Sequence, residues 1–328
     1  MTKNNSGKNL PRLISGIWLL NLVGAVGLIV FVWLSRNPTP AHSASAPTIT
    51  TALSRTPLPS YAPQGEGAIL PTIKPTVEAQ KPFQSPTSTP TQDPNGPMVI
   101  GYSVAGRPLG VYRFGNGPTG RLIIAGIHGG NEWNTIALAK ELIDYVEGHP
   151  EIIPKGITLY ILPDLNPDGE ARIHGLDGRV NNNGVDLNRN WPYRWEKDFA
   201  RSNCWNYRET TAGPFAASEP ETVALLNFVQ AHPEIDALIS YHAAALGVFA
   251  GGVPAYKPSV LLAEGIAKVS TYQYPPKDIG CKYTGDLTDW AASVQRVAAV
   301  DIELHNFKDT DFDENLKILK VFLNYKKK

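Results

Sequence analysis

The chain is poor in cysteine and has no excess of charge of either sign. Two cysteines among 328 residues exclude a disulfide-dense scaffold and any cysteine-rich zinc module. The 30 basic and 30 acidic residues cancel, so the composition gives no electrostatic footprint for binding nucleic acid. Cys204 and Cys281 could form one bridge if they lie outside the cytoplasm, and they would otherwise be two unpaired thiols.

Long apolar runs are also scarce, and the one clear example lies near the N-terminus, at residues 13–35. Its apolar part, residues 13–34, would span about 33 Å as a helix with ~1.5 Å rise per residue, close to the hydrocarbon thickness of a bilayer. Positive charge is concentrated before it, which predicts cytoplasmic residues 1–12, a single membrane-spanning anchor and an extracytoplasmic remainder. A cleaved signal peptide, which would give a secreted protein, is the alternative. Its usual apolar core of about 7–15 residues is shorter than this run.

Residues 36–97 contain roughly half of the 28 prolines, together with many serines and threonines. A segment of this composition has no apolar periodicity from which to build a core, so it predicts an extended linker. Residues 98–328 show the mixed apolar and polar pattern of a globular domain, which we expect to be the catalytic part of the chain.

Strand-like and helix-like segments alternate through the globular part. The pattern predicts an α/β fold, a three-layer α/β/α sandwich with a mixed, largely parallel central sheet. It also predicts Ser259 as the N-cap of one helix. The predicted strands are 99–104, 110–114, 121–126, 157–162, 237–241 and 298–304, and the predicted helices are 133–146, 220–230, 260–269 and 313–325.

Two histidines follow two of the predicted strands. His128 comes two residues after strand 121–126, and His242 comes directly after strand 237–241. Ligands of open α/β sheets gather at the carboxyl ends of strands. Glu132 lies four residues after His128 across a Gly-Gly turn that could fold both side chains toward one point. Two imidazoles and one carboxylate leave a position open for water on tetrahedral zinc, which is typical of a catalytic site, so we expect one zinc ion per chain.

Glu303 lies in the strongly apolar strand 298–304. A carboxylate is costly in a buried strand unless it is paired or has a function. Next to zinc it could take a proton from bound water, whose pKa the metal lowers. His305 shares this face of the strand, but Glu303 is preferred because water activation requires a base and a third histidine would be a surplus ligand.

Several motifs occur in an order that resembles the zinc carboxypeptidase family of the carboxypeptidase A type, in particular its bacterial, membrane-tethered members. The resemblance extends from about Val99 to the C-terminus, and the Asn-Arg-Asn-Trp element is its most specific part. The motifs are His128 with Glu132, Asn166-Pro-Asp-Gly169, Gly184-Val-Asp-Leu-Asn-Arg-Asn-Trp191, Ser240-Tyr-His242, Gly285-Asp-Leu-Thr-Asp-Trp290 and Glu303.

The resemblance implies His128, Glu132 and His242 as zinc ligands and Glu303 as the general base. Asn188 and Arg189 resemble the pair that binds the substrate's terminal carboxylate, a task suited to the planar guanidinium.

The resemblance also implies an arginine that stabilises the oxyanion, for which Arg179 is preferred and Arg172 is the alternative. Thr288 corresponds to a residue of the side-chain pocket. It is uncharged, and no acidic residue is clearly placed to select lysine or arginine, although Asp286 is nearby.

The sequence departs from the family pattern at two places. Three residues instead of two separate His128 from Glu132, so the extra glycine must be absorbed in the turn. The tyrosine that covers the substrate would fall at Cys281, so Tyr283 is the expected replacement and Tyr274 the less favoured one.

These features predict a zinc-dependent metallocarboxypeptidase that hydrolyses C-terminal peptide bonds outside the cytoplasm. Peptides or peptidoglycan stem peptides are the expected substrates, and neither nucleic acid nor an obligate protein partner is expected. The alternatives are a zinc amidohydrolase that deacylates N-acyl amino acids and a non-catalytic binding module with the same fold.

Overall fold

The computed structural model describes residues 96–200, 204, 209–244 and 247–327. The predicted cytoplasmic segment 1–12, the predicted anchor 13–35 and nearly all of the predicted linker 36–97 lie outside these residues. Within the described ranges, every helix is too short or too polar to cross a bilayer.

The described residues form one seven-stranded mixed sheet in the order β1-β2-β4-β3-β5-β7-β6. The four central strands β4, β3, β5 and β7 are parallel, and β1, β2 and β6 are antiparallel to their neighbours. The predicted α/β fold with a mixed, largely parallel sheet is therefore confirmed. The strands are β1 (Met98–Tyr102), β2 (Pro108–Gly115), β3 (Thr119–Ile124), β4 (Ile157–Leu162), β5 (Ile235–Ala243), β6 (Val248–Ala250) and β7 (Ala298–Leu304).

Helices cover both faces of this sheet. Leu138 of α1, Leu262 of α4 and Ile318 of α6 pack in the apolar cluster on one face, and Leu225 of α3 and Trp290 of α5 pack in the cluster on the other. Because both faces are covered, β4 is buried along its whole length, as its apolar run predicts. The helices are α1 (Trp133–Gly148), α2 (Pro167–Arg172), α3 (Pro220–Ala231), α4 (Lys257–Ala267), α5 (Leu287–Ser293) and α6 (Phe312–Leu323).

The sequence prediction missed β6, α2 and α5 and misplaced one helix start. Helix α4 begins at Lys257, with Pro258 in its first turn, so Ser259 lies inside the helix and is not its N-cap. The Ser259 hydroxyl instead accepts a hydrogen bond from the backbone N–H of Ala299 on β7, at 3.0 Å. Helix α5 begins after Asp286, whose side chain accepts from the backbone N–H of Asp289 and caps the helix.

The topology brings the carboxyl ends of β3, β5 and β7 side by side. β5 extends two residues beyond its predicted end, so His242 lies within the strand and pairs in register with Glu303 of β7. His128 follows the end of the neighbouring strand β3. The sheet therefore places the three residues at one edge, as expected for a ligand site in an open α/β sheet.

Candidate metal centre and its cavity

A cavity of about 400 Å³ opens at this edge of the sheet. All nine residues proposed from the sequence as ligands, catalytic groups or substrate contacts lie on its wall. They are His128, Glu132, Arg179, Asn188, Arg189, His242, Tyr283, Thr288 and Glu303. Three of the alternatives, Arg172, Tyr274 and His305, are not among the residues that line it.

The carboxylate of Glu132 lies between the rings of His128 and His242. Its Oε1 is 3.0 Å from Nδ1 of His128, and its Oε2 is 3.3 Å from Nδ1 of His242. One ligand atom from each residue can be chosen so that all three lie within 4.8 Å of one another. All three side chains are at most 5% exposed. The two Nδ1 atoms and the carboxylate are thus arranged as a group that could hold one metal ion.

A glycine pair makes this convergence possible despite the extra residue between His128 and Glu132. The chain passes through a 3-10 turn at Gly130–Glu132, and Gly130 has a left-handed φ of +70°. A Cβ at Gly130 would lie 2.2 Å from the carbonyl oxygen of Gly175, and one at Gly129 would lie 2.4 Å from the backbone nitrogen of Glu170. The turn therefore depends on both glycines, and it absorbs the additional residue.

The outer nitrogens of the two imidazoles have polar neighbours of their own. Nε2 of His128 lies 2.9 Å from Oδ1 of Asp186, and Nε2 of His242 lies 3.2 Å from the hydroxyl of Ser240 and 3.5 Å from Oδ1 of Asp301. An ionised carboxylate can only accept, so it favours the tautomer with the proton on Nε2. This leaves the Nδ1 lone pair of His128 free to bind a cation, in the arrangement typical of zinc-bound histidine.

The charges of the site favour a cation at its centre. Burial alone would raise the pKa of Glu132, but His128 and His242 outweigh it and lower that pKa, so the carboxylate is ionised. Burial likewise opposes ionisation of Asp186, but Arg179 and His128 hold its pKa well below the usual range. Two imidazole nitrogens and an ionised carboxylate, all buried, make a donor set that fits zinc.

Arg179 is ion-paired within the site. Its NH1 donates to Oε1 of Glu132 at 3.1 Å and its Nε donates to Oδ2 of Asp186 at 3.0 Å. Burial would lower the pKa of Arg179, but these two carboxylates raise it, so the guanidinium stays charged at the cavity wall. The guanidinium of Arg172 instead donates to the backbone carbonyls of Asp177, Val180 and Asn181, away from the cavity.

Glu303 is an acidic group of the site whose ionisation is opposed by burial. Its Oε2 is buried without a hydrogen-bond partner among the described residues. Burial raises the pKa of Glu303 to about 8; the charge of His242 opposes this shift, and the charges of Glu132 and Asp301 add to it. A carboxylate with an unused lone pair and a pKa near neutrality is suited to general base catalysis. His305 contacts Asp311 and Thr271 instead, with 41% of its side chain exposed.

Asn188 and Arg189 lie in a 3-10 turn that follows Asp186, whose side chain accepts from the backbone N–H of Asn188. The side-chain oxygen of Asn188 accepts from the backbone N–H of Leu287, which fixes the amide against α5. The guanidinium of Arg189 lies 5.4 Å from the ring centroid of Phe199 and 5.5 Å from that of Tyr283. Its Nε is buried with no hydrogen-bond partner among the described residues, so a donor remains for an anion.

Several residues of the cavity wall had no assigned role in the sequence prediction. Asp289 and Asp301 were not considered for binding, and Asp186, which contacts the wall residue His128, was noted only as part of a motif. Asp301 could have been found, because it lies two residues before Glu303 and therefore shares its face of β7. Asp286 was noted only as a nearby acid, and Asp289 was not, because the N-terminus of the unpredicted helix α5 determines where both side chains point.

The two cysteines are joined by a disulfide bond, which decides between the two possibilities left open by the sequence. Cys204 and Cys281 both line the cavity, and Tyr283 follows two residues later. Burial raises the pKa of Tyr283 to about 12, with a further contribution from the charge of Glu303. The tyrosine is therefore un-ionised and can donate a hydrogen bond into the cavity.

An accessible cavity beside two imidazoles and a carboxylate defines a metal site of the catalytic kind. The sequence model of the zinc carboxypeptidase family matches residues 96–320, which is more than half of the chain. The chain belongs to the zinc carboxypeptidase family, which confirms the family and the zinc cofactor predicted from the sequence. Carboxypeptidase A5 of Macaca fascicularis is 34% identical over 164 residues, covering 44% of this chain and 36% of that protein. The aligned segment thus spans about a third of that relative.

Solved structures share the fold at lower identity. Carboxypeptidase A from Helicoverpa armigera matches with a TM-score of 0.54 and 21% identity, covering 71% of this chain and 69% of that chain. Murein-tripeptide amidase MpaA from Escherichia coli O157 matches with a TM-score of 0.53 and 22% identity, covering 73% of this chain and 95% of that one. At these identities the likeness concerns the fold alone.

Proposed function

We propose that this protein is a zinc-dependent metallocarboxypeptidase that hydrolyses the last peptide bond of a peptide. The observation that carries the proposal is the content of a single cavity. It combines a His-Glu-His donor set with two polar atoms that have no hydrogen-bond partner among the described residues, Oε2 of Glu303 and Nε of Arg189. These are a metal site, a base and an anion-binding group, the three parts needed to cut beside a free carboxylate.

Glu303 would act on protons. Zinc held by His128, Glu132 and His242 would supply a Lewis acid that lowers the pKa of water and polarises the scissile carbonyl. Glu303 would accept the proton of the attacking water and then deliver it to the leaving amine. Because burial raises its pKa, Glu303 would accept a proton more readily than an exposed carboxylate does. The leaving amine is more basic still, so it would then take that proton from Glu303.

The arginines would position the substrate and stabilise charge. Arg189, with Asn188 beside it, would bind the terminal carboxylate through the guanidinium, whose planar donors match two oxygens. This contact would place the last peptide bond, rather than an internal one, at the metal. Arg179 would stabilise the negative charge that develops on the carbonyl oxygen, and Tyr283 would cover the bound residue.

We further propose that hydrolysis takes place outside the cytoplasm, on a domain tethered through residues 13–35. The apolar run and the charge bias around it support the tether, and the Cys204–Cys281 disulfide supports an oxidising compartment. Peptides and cell-wall stem peptides are the substrate classes compatible with this location.

The test uses the full chain loaded with zinc, incubated with a mixture of peptides that differ in their last residue. We expect release of single C-terminal residues, loss of release with a chelator and recovery on adding zinc. Glu303→Gln should abolish release while keeping one zinc per chain, whereas His242→Ala should lose both. Asp144→Asn, an exposed change on α1, is the matched control.

The two alternative functions give different results in the same assay. Hydrolysis of N-acyl amino acids without release from peptides would indicate a deacylase. Stoichiometric zinc with no hydrolysis of either class would indicate a binding module. Full activity in Glu303→Gln would contradict the assignment of the base.

A further inference from the structure

The part of the cavity beside helix α5 is lined by carboxylates. Asp286 and Asp289 come from the N-terminus of α5, and Asp301 comes from β7, two residues before Glu303. Thr288 links the two elements, because its hydroxyl donates to Oδ2 of Asp301 at 2.7 Å and lies 3.3 Å from Oδ1 of Asp286. The residue expected from the sequence to give an uncharged pocket therefore lies between two acids.

Asp286 is the most informative of these groups. Its side chain is 5% exposed, and its Oδ2 has no hydrogen-bond partner in the described part of the chain, although the residue lines the cavity. Its Oδ1 has a structural task, since it accepts from the backbone N–H of Asp289 at 2.8 Å. A buried carboxylate oxygen without a partner is costly, so its retention in a cavity wall points to a ligand that supplies the missing donor.

The other two acids are also incompletely paired. Asp289 accepts from the backbone N–H of Gly252 at 2.7 Å, and its nearest ion-pair partner among the described residues is Arg194 at 3.8 Å. Oδ1 of Asp301 has no hydrogen-bond partner in the same ranges, with Nε2 of His242 3.5 Å away. Burial and the nearby charges of Asp289 and Asp301 raise the pKa of Asp286 to about 8. A cation at this place would relieve that repulsion.

The charge of the whole cavity leads to the same conclusion. Among the described residues, five carboxylates line it and only two guanidinium groups, those of Arg179 and Arg189, face them. With all five carboxylates ionised, the two guanidinium groups and one divalent metal ion still leave one negative charge in excess, and the terminal carboxylate of a substrate adds another. A substrate that brings its own positive charge would restore the balance.

The position of the acids indicates which part of the substrate they meet. Asn188 contacts both His242 and the first residue of α5. Its Nδ2 lies 3.4 Å from Nε2 of His242, and its Oδ1 accepts from the backbone N–H of Leu287 at 3.0 Å. The carboxylate-binding pair, the metal ligands and the acids are therefore adjacent. With the terminal carboxylate on Arg189 and the scissile carbonyl at the metal, the side chain of the last residue is directed to the remaining wall. Gly251 lies there with its backbone packed closely against Thr288, since a Cβ on Gly251 would be 2.4 Å from the Thr288 carbonyl oxygen.

We infer that the cavity selects peptides whose last residue carries a positively charged side chain, lysine or arginine, and that Asp286 is the main specificity-determining residue. The inference rests on the proposed carboxypeptidase activity and names its substrate class. The ammonium or guanidinium group would donate to the free Oδ2 of Asp286, with Asp289 and Asp301 adding attraction.

The test compares kcat/KM of the zinc-loaded full chain on peptides identical except for the last residue. Lysine is paired with norleucine, which has the same carbon chain without the ammonium, and arginine is paired with citrulline. We expect the charged member of each pair to be preferred by roughly 30-fold or more, the effect of leaving a buried charge unpaired. In Asp286→Asn the ratio should fall toward one, because asparagine keeps the capping oxygen and loses only the charge. Asp144→Asn should leave the ratio unchanged.

The outcomes separate this inference from the proposed function. Release of norleucine or citrulline as fast as lysine or arginine by the unaltered chain would overturn the inference and leave the carboxypeptidase activity standing. The comparison needs no variant, so it holds even if Asp286→Asn fails to fold. An unchanged ratio in a folded Asp286→Asn would overturn the assignment to Asp286. No release from any peptide would overturn the proposed function and the inference together.

Discussion

Oδ1 of Asp186 lies 2.9 Å from Nε2 of His128, on the side of the ring opposite Nδ1, which faces Glu132. The same carboxylate accepts from the backbone N–H of Asn188 at 3.0 Å and from Nε of Arg179 at 3.0 Å. One buried side chain thus orients a proposed metal ligand, a proposed substrate contact and the arginine beside them.

Asp186→Asn should weaken zinc binding or activity by about 10- to 100-fold, the usual effect of losing a partner of a metal-bound histidine. Asparagine can still accept one hydrogen bond but carries no charge to stabilise the ring or Arg179. Competition with a chromogenic chelator measures the zinc affinity, and peptide release measures the activity. If the variant equals the unaltered chain in both, Asp186 has no positioning role.

Arg179→Ala should lower kcat for peptide release by roughly 10²- to 10³-fold, the effect of removing one oxyanion donor. Because Arg179 also pairs with Glu132 and Asp186, the zinc content of the variant must be measured alongside its rate. Arg172→Ala is the matched comparison, since its guanidinium binds backbone carbonyls outside the cavity and should affect thermal stability rather than kcat. A lower kcat in Arg172→Ala with an unchanged kcat in Arg179→Ala would assign the stabilisation of the oxyanion to Arg172.

The activity should fall on the acid side as Glu303 becomes protonated. Burial raises the pKa of Glu303 to about 8, and the charge of a bound divalent ion favours the carboxylate, so the acid limb of kcat/KM should lie below pH 8. Asp301→Asn removes a like charge that raises this pKa, and it should move the limb to lower pH. If the acid limb of kcat/KM in Asp301→Asn stays at the same pH or moves to higher pH, a group other than Glu303 controls it.

The disulfide should contribute substantially to stability. Cys204 and Cys281 are separated by 77 residues, and closing a loop of that length in the unfolded chain stabilises the folded state by about 4 kcal/mol in the chain-entropy account. Denaturant unfolding of the oxidised chain and of a Cys204→Ser, Cys281→Ser double variant measures the difference. Equal free energies of unfolding, at equal zinc content, would contradict the estimate.

The parts of the fold that could be predicted are those with a strong local pattern. The predicted bounds of β4 and β7 coincide with the observed ones, because each is an apolar run buried against helices on both sides. The three-residue strand β6 and the seven-residue helix α5 are too short to show a period. Ser259 resembles an N-cap locally, but the packing of α4 against β7 gives its hydroxyl another partner.

In the candidate site, too, some residues could be predicted from the sequence and others could not. The ligands and Glu303 could be placed from the sequence because strand ends and motif order bring them to one edge of the sheet. The acidic wall could not, because the positions of Asp286 and Asp289 follow from the cap of a helix that has no sequence signal of its own. The bond of Asp186 to Asn188 is a local turn contact, but its contacts with His128 and Arg179 depend on the tertiary fold and could not be predicted from spacing.

The bond between Cys204 and Cys281 has one more consequence, because both sulfur-bearing residues form part of the cavity wall. Thiols kept in the reduced state would leave this side of the cavity without its covalent brace. With the export proposed above, this bond would form only after the chain has left the reducing interior of the cell, so the proposed peptide-cutting cavity would be completed outside it.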